Sequence, residues 1–344
     1  MIIINKNEKV LISISIILFV IILGILIIPF LELNYFKVLS TGFEHDNNYY
    51  SENNLEIYLL PSTTATDKVL KVINSANTEI HCALRSLNDT NLEDLLLKKE
   101  KTIKVRLFIN SDYLGNKRMY QPFVKFSDQN MVGMMHNNYC IIDGKTVITG
   151  SIIFNQNTLG KNLHDVLIIN SIELASEYNS DFWKLYNREE IIPSSTPKEF
   201  IKINENTEMK VLFCPRDDCE KEMVNQINNA KKEVLFATYS FTNFKVINAL
   251  KENKNITFSG VIDQSGLTKD SIFFENLKNV KLSRLTEIIH TKLITVDDNI
   301  SITGTTNPTY FGTQLNNENL LIIKSKEINF FYKSLLKYLI KISE

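Results

Sequence analysis

Hydrophobic and polar positions divide this chain into one long uniform run and two stretches of short, alternating patterns. From Val10 to Leu31 there are twenty-two residues without a charge. A helix needs roughly 20 apolar residues to cross a bilayer core, so the run predicts one transmembrane helix. A cleaved signal peptide is the rival reading. The run is long for one, and Ile27, Ile28, Pro29, Phe30 and Leu31 offer no small-residue cleavage site. Lys6 and Lys9 precede the run with Glu8 between them, whereas Glu32, Glu44, Asp46, Glu52 and Glu56 follow it against a lone Lys37. The positive-inside rule then keeps the N-terminus in the cytoplasm and sends the remainder outward, as in a single-pass protein of the cell membrane.

Past this run the period shortens. Glu56–Leu60 reads as an apolar strand. Val69, Leu70, Val72, Ile73 and Ala76 recur at helical spacing, and Glu79–Leu84 is again a strand. Leu92, Leu95 and Leu96 mark a second helix. Strands follow at Lys104–Ile109, Tyr139–Ile142, Thr146–Thr149 and Val166–Ile169, then a helix over Ile172–Tyr186. The same succession returns further on and ends on a helix over Glu327–Ile342. Strands interleaved with helices imply layered α/β architecture.

The succession returns because the chain repeats itself. Pro61 matches Pro215, Ile73 matches Ile227, Ala83 matches Ala237, His136 matches His290, Asp143 matches Asp297, Gly150 matches Gly304, and Ser171 matches Ser325, each pair 154 residues apart. Register held over more than a hundred residues marks a duplication. One slip is expected near Asn110 and Asp263. The resulting division is a cytoplasmic stub and anchor (1–31), a juxtamembrane linker (32–54), a first repeat (55–192), a linker carrying Pro193 and Pro197 (193–208), and a second repeat (209–344).

Composition adds limits. Net charge is −1, so no overall basic field attracts nucleic acid or an anionic membrane, although a local groove can exist on a neutral protein. Of four cysteines, Cys82 and Cys140 lie in apolar segments and are expected as buried thiols. Cys214 and Cys219 flank a turn and can close a small disulfide outside the cytoplasm.

Candidate chemistry concentrates at the matched histidines. The second repeat reads His290-Thr-Lys292-Leu-Ile-Thr-Val-Asp297, then Gly304-Thr305-Thr-Asn307, then Asn317-Glu318-Asn319. On a strand His290 and Lys292 share a face. A histidine beside a lysine makes a poor core pair and a good phosphate site, because imidazole can attack phosphorus while ammonium and amide groups hold its oxygens. The first repeat reads His136-Asn-Asn138-Tyr-Cys-Ile-Ile-Asp143, then Gly150-Ser151-Ile-Ile153-Phe-Asn155, then His164-Asp165. Here Asn138 answers Lys292, Ile153 answers Asn307, and His164 answers Glu318.

These strings resemble the HxKxxxxD signature of the phospholipase D superfamily, with its GSxN segment and downstream glutamate. The resemblance spans residues 55 to 344, and the compact copies are similar to the short endonucleases and the mitochondrial cardiolipin hydrolase. It implies two α/β/α repeats about a pseudo-twofold axis, behind one transmembrane helix. It also implies one shared site, a phosphohistidine intermediate, and no cofactor or metal. His290, Lys292, Asp297, His136 and Asp143 would be catalytic, with Asn307, Thr305, Glu318, Asn138 and Ser151 binding substrate.

A nucleophilic imidazole needs a carboxylate behind it. Glu318 follows His290 in the same repeat, so His290 is expected as nucleophile and His136 as general acid, with His164 at the cleft edge. Three functions stay open: a phosphodiesterase on phospholipid head groups, a nuclease whose groove uses Arg85, Lys117, Arg118 and Arg284, and a scaffold without turnover. Partners would be the phosphodiester, the membrane through the N-terminal helix, and, left open, a second copy of the chain in a homodimer.

Overall fold

The computed structural model describes residues 49–112, 117–129, 132–155, 161–194, 196–267, 279–283 and 285–343. The apolar run 10–31, and with it the expected membrane helix, lies outside them. Among the described residues no helix is long and apolar enough to cross a membrane.

Two eight-stranded sheets carry the same order of strands, and β4 (Leu87–Asn88) pairs with β9 (Phe154–Asn155) as a separate two-stranded ribbon. The first runs β1 (Tyr49–Glu52), β2 (Leu55–Leu60), β10 (His164–Asn170), β8 (Thr146–Gly150), β7 (Asn138–Ile142), β3 (Glu79–Leu84), β5 (Lys104–Ile109), β6 (Val124–Phe126). The second runs β11 (Ile201–Lys202), β12 (Glu208–Cys214), β18 (Glu318–Lys324), β17 (Ile300–Gly304), β16 (Lys292–Val296), β13 (Glu233–Thr238), β14 (Thr257–Asp263), β15 (Val280–Ser283). β1 and β11 come from stretches read as linkers; each pairs antiparallel with the strand that follows it.

The central strands read as continuous apolar runs because both of their faces are covered. All but the first residue of β3 are buried, and β13 repeats the pattern. Helices Thr63–Asn74 and Thr90–Glu100 pack Ala65, Val69, Ile73, Leu92 and Leu96 against one face of the first sheet. Their starts are capped by Ser62 and Asp89, whose side chains accept the Ala65 and Leu92 N–H groups. Ser171 and Ser325 cap the last helix of each repeat in the same way, Ile172–Asn187 and Lys326–Ile342.

Register explains the slip in the repeat. Glu79 pairs with Lys104 in the first sheet and Glu233 with Thr257 in the second. The separation at that strand is 257 − 104 = 153. It returns to 154 by the motif strands, where Leu84 opposes Asn138 and Thr238 opposes Lys292.

One expectation about the cysteines is corrected. Cys82 and Cys140 are not buried thiols. They lie directly opposite on the antiparallel strands β3 and β7, with Cα atoms 4.1 Å apart, and are joined as a disulfide. Sequence spacing does not reveal cross-strand register, which is why the pair looked like two isolated core residues. Cys214 and Cys219 are also bonded, closing the turn at the start of the helix Cys219–Asn229.

The repeats are joined by apolar and polar contacts. Phe213 of the second repeat packs edge-on against Tyr178 of the first and lies 6.2 Å from the Tyr139 ring. Arg216 reaches Asp181 at 3.2 Å, and the Tyr139 hydroxyl donates to the same carboxylate at 2.8 Å. Burial pushes the Asp181 carboxyl up to about 6 although Arg216 and Tyr139 pull it down.

Candidate active site

The site is built where the two sheets exchange backbone hydrogen bonds. The N–H of His136 donates to Asn317 O at 2.9 Å, and that of Asn317 to Met134 O at 2.9 Å. At the related position the N–H of His290 donates to Leu163 O at 3.0 Å, and that of Leu163 to Ile288 O at 2.8 Å. Each motif histidine is thus bonded to the residue just before β10 or β18 of the opposite repeat. The next residue, His164 or Glu318, is thereby delivered to a histidine it does not accompany in sequence.

This crossing corrects the expected pairing. Glu318 does not support His290; its Oε2 lies 2.8 Å from Nδ1 of His136. Its Oε1 accepts from the Asn316 amide at 3.1 Å, and the carboxylate is wholly buried. His164 is not at the cleft edge either. It is buried, its Nδ1 lies 2.8 Å from Ser151 O, and the same atom lies 3.2 Å from Nδ1 of His290, with ring centroids 4.7 Å apart.

Lys292 sits against His290, as expected from their shared strand face. Its Nζ is 2.9 Å from Nδ1 and 3.0 Å from Nε2 of that ring, and it donates to His290 O at 2.6 Å. Burial lowers its pKa to about 7, although Glu318 and Asp165 favour its charge. Burial, then Lys292, then His164 and His136 hold His290 well below the usual imidazole range. His164 is lowered to about 3 by burial and then by Lys292, against the pull of the Ser151 carbonyl. The charges of Glu318 and Lys292 therefore act on one another, and the two motif histidines belong to one polar cluster.

Other expected residues have different work. Asn138 does not point a free amide at a phosphate: its oxygen accepts the Arg85 N–H at 3.1 Å, and its nitrogen donates to His136 O at 3.3 Å. It fills the post from which Lys292 bonds the His290 carbonyl, without the reach to the ring. Ser151 and Thr305 are likewise engaged. Ser151 Oγ accepts the Asp165 N–H at 2.9 Å, and Thr305 Oγ1 accepts the Asn319 N–H at 3.0 Å. Asn307 Oδ1 is buried without a partner among the described residues.

Asp143 and Asp297 are not in the cluster. Both have positive φ, 52° and 51°, at the far ends of β7 and β16. Each lies seven positions beyond its histidine along an extended stretch, roughly 20 Å. Asp143 accepts the N–H groups of Asn77, Thr78 and Glu79, and Asp297 those of Lys231, Lys232 and Glu233. Burial pushes the Asp143 carboxyl up, but these bonds outweigh it and hold it at about 2. These aspartates tie the motif hairpins to the start of the neighbouring strand, which is a positioning task.

Sequence reading missed a buried polar belt behind the histidines. Asp165 accepts from Thr303 at 2.6 Å and Tyr332 at 2.7 Å, both of the other repeat. Its counterpart Asn319 accepts from Thr149 at 3.1 Å and donates to Asn137 at 3.0 Å, again across the boundary. The only signal in the sequence was that 165 and 319 are related positions holding polar residues in apolar strands. His81 is stacked on Phe182 at 4.9 Å and bonded to Asn179, away from the cluster. Among the described residues no group of histidine, cysteine and acidic side chains could hold a metal ion.

Comparison with known proteins fits this arrangement. The family described as "Cardiolipin synthase, PLD-like domain" matches twice, over residues 69–186 and 223–340, again 154 apart. Phospholipase D of Rickettsia prowazekii (strain Madrid E) is 27% identical over 192 residues, 51% of this chain and 91% of that protein. Mitochondrial cardiolipin hydrolase of Xenopus laevis is 23% identical over 136 residues, 37% of this chain and 64% of that protein. Phosphatidylserine synthase of Haemophilus influenzae Rd KW20 superposes with a TM-score of 0.62 over 84% of this chain and 86% of that chain at 14% identity, a likeness of fold. Both matched regions contain a motif histidine and together they cover more than half of the chain, so it belongs to the phospholipase D superfamily and is a phosphodiesterase of that class.

Proposed function

We propose that this chain is a membrane-anchored phospholipase D that cleaves or exchanges the head group of a phospholipid through a phosphohistidine on His136. The observation that carries the assignment of roles is the bond from His136 Nδ1 to Glu318. A carboxylate only accepts, so the ring proton sits on Nδ1 and Nε2 keeps the lone pair that attacks phosphorus. The same carboxylate offsets the positive charge that the ring gains on phosphorylation. His290 has a lysine and a second histidine beside it, which disfavour such a charge, so it carries the proton for the leaving oxygen. Water, or an acceptor alcohol, then attacks the phosphohistidine and frees His136.

Lipid is favoured over nucleic acid by three observations. The Rickettsia relatives are named phospholipase D. Two arginines proposed for a nucleic-acid groove face acidic partners: Arg118 is paired with Glu93 and Asp94, and Arg85 lies 3.9 Å from Asp112. The rim near the histidines is apolar, with Met134 and Ile288 exposed at 38% and 36%, two residues ahead of His136 and His290. The run 10–31 would tether the chain to the bilayer that holds such a substrate, with the repeats outside the cytoplasm.

The test incubates the purified soluble part, residues 45–344, with labelled liposomes and with labelled single-stranded DNA in EDTA. Head-group release from liposomes supports the reading. Cleavage of DNA alone would make the chain a nuclease, and turnover of neither would leave a scaffold. Protease added to intact cells should digest the repeats, and their full protection would overturn the orientation.

A further inference from the structure

Exposed aromatic side chains collect on the second repeat, at the end of its sheet that carries the site. Phe244, Tyr310 and Phe311 are exposed at 55%, 58% and 56%, and the last two rings stand edge to face with centroids 6.4 Å apart. Phe244 opens the helix Phe244–Glu252, and Tyr310 opens the short helix Tyr310–Gln314. The two starts are tied together. The N–H groups of Thr242 and Asn243 donate to Pro308 O at 3.0 and 2.9 Å, and the Asn243 amide donates to Thr313 at 3.0 Å. The first helix follows β13, whose last residue opposes Lys292. The second follows Gly304 of β17, which opposes Leu320, two places beyond Glu318.

Hydrogen bonds join this patch to the catalytic cluster. Phe311 O accepts the Asn316 N–H at 2.8 Å. The Asn316 amide donates to Glu318 at 3.1 Å, and its oxygen accepts the Met134 N–H at 3.1 Å. The patch is thus one hydrogen-bonded residue away from Met134 on the apolar rim. The fold itself does not ask for these rings. In sequence, the positions 154 residues earlier hold Thr90, Gln156 and Asn157. Thr90 opens the helix Thr90–Glu100 behind a capping Asp89, just as Phe244 follows the capping Asn243. Position 90 does the same backbone work with a polar side chain, so the aromatic rings answer to something outside the fold.

We propose that Phe244, Tyr310 and Phe311 form a docking face for the surface of a phospholipid bilayer and turn the mouth of the site toward it. The proposal rests on the reading of the substrate as a membrane phospholipid. Tyrosine suits the level of the head groups, and half-exposed phenylalanine rings supply apolar area to bury beneath them. Lys245, the next residue on the helix, is exposed but already paired with Glu220, and the net charge of the chain is −1. Attraction is therefore apolar rather than electrostatic, which fits a zwitterionic surface. A second copy of the chain seated on the rings would stand beside the mouth and obstruct the entry of lipid. A tether in the run 10–31 would bring the chain to a bilayer, and the rings decide which end of the repeats meets it.

The test uses the full chain reconstituted into phosphatidylcholine vesicles. Phe311→Trp should add fluorescence, above that of Trp183, which lipids brominated along their acyl chains quench. Ile172→Trp is the control, because Ile172 is exposed and follows β10 at the far end of its sheet, where Asn170 opposes Thr146. Its signal should escape quenching; equal quenching of both, or of neither, would overturn the proposal. The triple variant Phe244→Ser, Tyr310→Ser, Phe311→Ser, with its fold checked by thermal melting, should release head groups from vesicles about tenfold or more slowly. Its turnover of a short-chain phospholipid dissolved as monomers should match that of the unaltered chain. Equal loss on both substrates would make the rings part of the site, and loss on neither would leave them no docking role, so both results overturn the proposal. A dimer in detergent that the triple variant turns into a monomer, with no quenching at position 311, would give the face to a second copy instead. Quenching at position 311 with no head-group release from the unaltered chain would sink the substrate reading and leave the docking face standing.

Discussion

Strands β3 and β13 occupy the same place in their sheets, yet their centres are filled differently. In β3, Cys82 is bonded across to Cys140 on β7, with Leu107 on its other side. In β13 the related residue is Phe236, opposite Ile294 on β16 and beside Gly260 on β14. A Cβ at Gly260 would come within 2.2 Å of the Phe236 ring. One sheet is closed by a covalent bond and the other by a large ring over a glycine. Strand order and register are preserved while the means of filling the centre has changed. The same holds at the site, where His164 and Glu318, Asn138 and Lys292, and Asp165 and Asn319 occupy related backbone positions with unlike chemistry.

The comparison is most sharply broken at the histidines. His136→Ala should abolish the phosphoenzyme label and lower turnover by about a thousandfold or more, as measured by head-group release. With an acidic leaving group His290→Ala should retain label on His136. Equal loss in both variants with every leaving group would mean that the repeats do not divide the labour.

Glu318→Gln should follow, with kcat reduced about a hundredfold or more, because an amide no longer fixes the His136 tautomer by charge. The related change His164→Gln leaves His136 and its carboxylate untouched and should cost less than a tenth of that in kcat. Equal effects would erase the distinction between the two positions.

Stability should separate the two disulfides. Loop-closure entropy assigns about 4 kcal/mol to the Cys82–Cys140 link and about 2 kcal/mol to Cys214–Cys219, from sequence separations of 58 and 5. Denaturant unfolding of the paired Cys→Ala variants measures both, and a reversed order would show that local strain or packing outweighs the unfolded state.

The smallest change is expected from Asn138→Lys. Restoring the second repeat's residue offers a charge but removes the acceptor of the part-buried Arg85 N–H. A fully buried unpaired donor costs about 1–3 kcal/mol and a part-buried one less, so the melting temperature should fall modestly and activity should not rise. A gain in rate without loss of stability would show that the first repeat lacked only the lysine.

Much of the fold was legible because the backbone makes strict demands at a few positions. Gly150 and Gly304 have φ of 120° and 122°, and a Cβ on either would collide with the carbonyl of Asp165 or Asn319. Residues under such constraints persist in both copies and mark the 154-residue shift. Partner choice was not legible. Glu318 lies in the same repeat as His290, and only the crossed backbone bonds show that it serves His136. The function of Asp143 and Asp297 was hidden for a similar reason, since a strand carries them to the opposite end from their histidines. The Cys82–Cys140 bond depended on a register that apolar alternation alone does not specify.

The crossed bonds carry a consequence for descent. If one repeat stood alone, two identical chains would have to meet to complete the site, and every substitution would appear on both sides of it at once. A histidine in place of the glutamate would then strip the carboxylate from both rings together. Joining the copies in one chain releases each position from its twin. Histidine in place of the glutamate on one side alone, as at position 164 beside an intact Glu318, becomes tolerable because the other side keeps its acid. Asymmetric chemistry of this kind is open to a fused pair and closed to a symmetric dimer.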